Sequence, residues 1–171
     1  VNGGPVKNYR NITLSNTDNG SVGVKSNGFT NDDSAKINVS GLKGSLIGID
    51  SGNSVTLESG SVTVSSVNAN GESYDSNTGV RSVTGGVTVK THASVSVSGR
   101  HYNQGVHSVD GLVTVNGSVG VTGSYSNGVL NTAAVSTSGK EDIIVDKGTV
   151  STTGSYNNAL YTVNGKITVR N

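Results

Sequence analysis

The chain has 171 residues, among them 25 Gly, one Pro, one Phe and no Trp, Met or Cys, with 32% hydrophobic residues, 13% charged residues and a net charge of +1. Few hydrophobics combined with few charges is not the profile of a disordered chain, and the lack of Cys excludes disulfides and thiol chemistry. There is no Lys/Arg cluster and no apolar run of membrane-spanning length, so neither nucleic-acid binding nor membrane insertion of this segment is expected.

Residues 1–20 are the least repetitive part and are expected to form an N-terminal cap. The start at Val1, the lack of Met and the lack of a signal-peptide pattern lead us to expect a processed product or a piece of a longer solenoid. From there a tetrad recurs: Gly23-Val24-Lys25-Ser26, Gly48-Ile49-Asp50-Ser51, Gly79-Val80-Arg81-Ser82, Gly105-Val106-His107-Ser108, Gly128-Val129-Leu130-Asn131 and Ala159-Leu160-Tyr161-Thr162. The spacings are 25, 31, 26, 23 and 31 residues, a period that means a solenoid or array.

A short alternating run follows each tetrad: Ile37-Asn38-Val39, Val55-Thr56-Leu57, Val87-Thr88-Val89, Val113-Thr114-Val115, Ile143-Ile144-Val145 and Ile167-Thr168-Val169. Most repeats add a second run: Val62-Thr63-Val64, Val95-Ser96-Val97, Val119-Gly120-Val121, Val150-Ser151-Thr152. Alternation is strand periodicity, and the intervening Gly, Asn and Ser are turn formers. Strands this short bury no face alone. Stacked at ~4.8 Å per rung they do. The expected fold is therefore all-β, a right-handed parallel β-helix of about six coils with three short strands each, in one domain over 1–171. Propeller blades run to about 40 residues, longer than these spacings.

In a solenoid, equivalent residues stack into columns. The fourth tetrad position (Ser26, Ser51, Ser82, Ser108, Asn131, Thr162) is expected to be a ladder that satisfies turn amides. The third (Lys25, Asp50, Arg81, His107, Leu130, Tyr161) points outward, with Asp50 and Arg81 as neighbours able to pair. The strand centres, including Thr88 and Thr114, form flat faces of small polar groups. A further column, Tyr74, Tyr102, Tyr125 and Tyr156, reads either as an edge ladder of rings or as a platform on which sugar rings stack. Ligand or partner candidates are therefore Tyr74, Tyr102, Tyr125, Tyr156, Arg81, His107, Tyr161, Thr88 and Thr114.

Catalytic signals are missing. Asp32-Asp33, Glu141-Asp142, Asp18, Asp50, Asp75, Asp110 and Asp146 are scattered, and no two are expected in one column of adjacent coils. His92, His101 and His107 lack metal-ligand spacing. No catalytic residue, metal site or cofactor is expected, and no enzyme.

Units such as Gly111-Leu112-Val113-Thr114-Val115-Asn116-Gly117-Ser118-Val119-Gly120-Val121-Thr122-Gly123 resemble the passenger domains of autotransporter adhesins of Gram-negative bacteria. They are also similar to the β-helical carbohydrate-binding domains of clostridial surface proteins. The resemblance covers about residues 20–171. It implies secretion, display on a bacterial cell surface and binding without catalysis. The first family implies adhesion or self-association between identical solenoids. The second implies polysaccharide or glycan ligands, often with calcium, for which this chain has no motif. Both readings stay open here, with a structural stalk and an ice-binding face as lesser alternatives.

Overall fold

The computed structural model describes residues 4–17, 19–42, 44–67, 76–134 and 141–171. The strands follow one another as β1 (Val6–Asn8), β2 (Ile12–Thr17), β3 (Val22–Ser26), β4 (Phe29–Asn31), β5 (Lys36–Gly41) and β6 (Ile47–Ser51). Two long strands then alternate with short ones: β7 (Val55–Ser66), β8 (Thr78–Ser82), β9 (Val87–His101) and β10 (Gln104–Ser108). The rest are β11 (Val113–Val115), β12 (Ser118–Ser124), β13 (Asn127–Asn131), β14 (Glu141–Asp146), β15 (Thr149–Thr153), β16 (Asn158–Thr162) and β17 (Lys166–Arg170). No helix occurs among the described residues.

Every recorded strand pairing is parallel and joins one turn of the chain to the next, as in β6–β8 and β8–β10. The chain is thus a parallel β-helix with three faces. One runs β1-β4-β7-β9-β11-β14-β17 and a second runs β2-β5-β7-β9-β12-β15, together an eleven-stranded sheet. The third is the six-stranded sheet β3-β6-β8-β10-β13-β16, which carries the tetrads. The expected three short strands per turn hold except where β7 and β9 run unbroken around the corner between the first two faces. Gly60 turns that corner in β7 at φ +80°, where a Cβ would lie 2.1 Å from the Ala35 carbonyl oxygen.

Alternation decides what lies inside. Val62, Val64, Val95, Val97, Val119 and Val121 on the second face are almost fully buried, as are Val87, Val89, Val113 and Val115 on the first and Ile49, Val80, Val106 and Val129 on the third. Together they form one continuous core. The first tetrad position closes it. Gly23, Gly48, Gly79, Gly105 and Gly128 face the second-face valines so closely that a Cβ at Gly105 would meet Val119 Cγ1 and the Gly128 oxygen, both at 2.5 Å. Ala159, in the last tetrad, has no further third-face strand beyond it.

One expectation changes. Ile37-Asn38-Val39 does not stack under Val55-Thr56-Leu57. It pairs with Val62-Thr63-Val64 on the second face, and Phe29-Thr30-Asn31 takes the first-face position instead. The Val-x-Val pattern missed that strand because its second inward residue is polar. Asn31 is fully buried, donates its amide to the carbonyl oxygens of Ala35 and Ser59, and accepts from Asn8 Nδ2 at 2.8 Å. Within residues 1–20, β1 and β2 pair in parallel with β4 and β5.

Candidate functional site

The three faces and their corners place every candidate. On the first face the outward residues Thr30, Thr56, Thr88 and Thr114 stand in one row, each in register with the next. The row continues through Ile144 to Thr168. Beside it runs a column of longer polar residues. Lys90 Nζ lies 2.5 Å from Glu58 Oε2, and Asn116 donates to the Asp146 carbonyl oxygen.

The third face carries the outward row Lys25, Asp50, Arg81, His107, Leu130 and Tyr161, in that order and in register. The expected pair forms: Arg81 Nη1 lies 3.1 Å from Asp50 Oδ1. Next along the row is His107, whose Nε2 is 3.1 Å from Thr132 Oγ1. Burial, and then the positive charge of Arg81, push the His107 pKa below its ordinary value, so the ring is neutral in the fold at neutral pH. The row turns apolar toward β16. Leu130 is nearly buried although its position points outward, while Tyr161 is 45% exposed.

Among the described residues the fourth tetrad column is hydrogen-bonded from Ser51 onward, while Ser26 Oγ is buried without a partner. Ser51 Oγ accepts from the Gly28 amide, Ser82 Oγ donates to the Asn53 carbonyl and Ser108 Oγ to that of Gly111. Asn131 continues it with its Nδ2 on the Gly111 and Asp142 carbonyls.

The tyrosines lie at the corner before the third face. Tyr102 and Tyr125 stack with centroids 5.6 Å apart and planes at 25°, and Tyr125 and Tyr156 at 5.0 Å and 10°. His101 tilts against Tyr102 and Tyr125 at 6.2 and 6.1 Å. Tyr74 lies outside the described residues. Because Gln104 pairs with Thr78, the position in register with Tyr102 belongs to Ser76, whose hydroxyl meets Ser45 Oγ of the preceding coil. Among the described residues the ladder has three rings. All three tyrosines, and Ser45, hold positive φ, from 54° to 62°.

Beneath the rings runs a ladder that the sequence reading missed: Leu46, Asn77, Asn103, Ser126 and Asn157. The backbone amide of each of the first four donates to the side chain of the next, as Leu46 to Asn77 Oδ1 and Ser126 to Asn157 Oδ1. The Asn77 and Asn103 side-chain amides donate forward to the carbonyls of Ser98 and Thr122 in the following coil, and that of Asn157 donates back to the Gly123 carbonyl. The signal was there: each polar member stands two residues before the Gly or Ala of a tetrad.

Among the described residues no group of three or more His, Asp or Glu side chains is placed to hold a metal ion. No protein-family model, no curated protein and no solved structure matches the chain.

Proposed function

We propose that this chain is a rigid adhesive rod that binds without catalysis, and that it associates side to side with a second copy of itself through the first face, around Thr88 and Thr114. The observation that carries the reading is the in-register row Thr30, Thr56, Thr88, Thr114. A hydroxyl both donates and accepts. A row of them repeating at the ~4.8 Å strand spacing matches an identical row on another molecule. Each contact is weak, and many in register add up as linked sites do. The neighbouring Glu58–Lys90 pair supplies both signs of charge beside the row. The likeness of the coils to adhesin passenger domains favours display on a bacterial cell surface.

Polysaccharide binding is the second reading, favoured by the exposure of Tyr156, 77% of whose surface is open. Sedimentation velocity over a range of concentrations, set beside a glycan array, separates the two. Concentration-dependent dimers that vanish in Thr88→Lys/Thr114→Lys, with the circular dichroism spectrum unchanged, support the self-association reading. A wild-type chain that stays monomeric, or dimers that ignore the double substitution, overturn it. Glycan capture lost with Tyr156→Ala would move the function to the ladder corner.

A further inference from the structure

The tyrosine ladder presents a surface that neither a turn nor a sugar platform explains. Its backbone position is left-handed in four coils, held by Ser45, Tyr102, Tyr125 and Tyr156 with φ of 62°, 55°, 54° and 59°. Such a conformation favours Gly or Asn and is unusual for a bulky side chain. Ser45 takes the same left-handed conformation without an aromatic ring. Three successive tyrosines therefore stand where local backbone preference opposes them, and strained positions cluster where a fold does something beyond supporting itself.

The geometry of the stack selects the ligand. Tyr102, Tyr125 and Tyr156 lie face against face in two steps of 5.6 and 5.0 Å. Each inner ring face is covered by its neighbour, yet the three tyrosine residues remain 44%, 46% and 77% exposed. What solvent meets is a comb of ring rims, with the outer face of Tyr156 at one end. An aromatic rim is electropositive and a face electronegative. A sugar offers C–H groups, which need ring faces. A planar conjugated molecule offers a negative π-face, which suits a row of rims. His101, tilted at 55° and 54° to Tyr102 and Tyr125, adds a fourth ring beside the comb.

We propose that the Tyr102–Tyr125–Tyr156 ladder is a binding site for an elongated planar aromatic molecule, which lies along the solenoid axis with its face on the three ring rims. Its length must reach across two coil steps, so two or more conjugated or fused rings are needed. The backbone and the stack hold the comb ready-made, so little side-chain freedom is lost on binding. The site is on a different part of the rod from the threonine row and does not depend on it.

2-Anthracenesulfonate, an elongated planar molecule with an electron-rich π-face, is the probe, read by fluorescence-anisotropy titration of the 171-residue chain. A saturable rise in anisotropy is expected in the wild type. Tyr125→Phe should retain it, since the rim is preserved, and Tyr9→Ala should leave it unchanged. Tyr125→Ala should abolish it with the β-type circular dichroism spectrum intact. Tyr156→Ala, at the exposed end of the stack, guards against a folding failure at Tyr125 and should weaken binding about tenfold, the scale of one aromatic pair. No rise in the wild type overturns the proposal. So does a rise that survives both alanine substitutions in folded protein, or retention by Tyr125→Leu, which would mean apolar contact alone.

Discussion

At the scale of single residues, His107 illustrates how a column sets the chemistry of one side chain. Arg81 stands beside it on one coil and Leu130 on the other, with Thr132 at its Nε2. An apolar neighbour, a cation and partial burial all oppose a charged imidazole, and no carboxylate takes the adjacent place, because Asp50 is engaged by Arg81 one coil further away. The unfolded chain then binds the His107 proton more readily than the folded chain. Stability from this group is complete above the ordinary imidazole value of 6.5 and is lost as the pH falls below it. We therefore expect the thermal midpoint of the wild type to fall further than that of His107→Gln when the pH is lowered from about 7.5 to about 5, across the His range. Calorimetry of the two chains over that range checks it, and parallel curves would mean that His107 does not couple to folding. Arg81→Gln should shrink the difference by removing one of the two causes.

At the scale of the element, the tetrad works because its first residue has no side chain. A Cβ at Gly105 would sit 2.5 Å from both Val119 Cγ1 and the Gly128 oxygen. The strand must move or the core valine must leave its rotamer, a cost of about 1–3 kcal/mol by analogy with overpacked cores. Gly105→Ala should lower the thermal midpoint by several degrees in a denaturation scan. Ala159→Gly, at the same register position in β16, should change it little, and equal effects at the two sites would refute this account of the column. This element was legible in the sequence, since the tetrad and the Val-x-Val runs report the inward face directly. The strand at Phe29-Thr30-Asn31 was not, because a buried Asn paired with Asn8 gives no apolar signal. The asparagine ladder was hidden for a related reason. Asn77 and Asn103 read as turn formers, and only the register revealed that their side chains are buried and bonded between coils. At the tyrosine corner, the residue type was visible and the alignment was not. The register counted back from Gln104↔Thr78 sets Ser76 level with Tyr102, and Tyr74 lies outside the described residues.

At the scale of the whole molecule, a coil touches only its neighbours, so stability is a sum of local terms along the axis. Those terms are unequal in the 171-residue chain. Val80, Val106 and Val129 are fully buried on the third face, with a complete coil on each side. Toward β15, β16 and β17 the same inward columns open. Val150 and Leu160 are only partly buried, and Ile167 and Val169 are 38% and 64% exposed. There Val145, Val150, Leu160 and Val169 line an open cavity of about 280 Å³. Fewer apolar contacts mean cheaper local opening. Amide hydrogen exchange should therefore slow toward the centre of the rod, with Val80 and Val106 at least about 100-fold more protected than Leu160, equivalent to ~2.7 kcal/mol of opening free energy. Mass spectrometry of exchanged peptides, or resolved amide signals, measures the gradient. Uniform protection from β3 to β16 would mean that the rod opens as one cooperative unit. The nearest-neighbour picture, in which each coil is stabilised by the two it touches, would then be wrong for this chain.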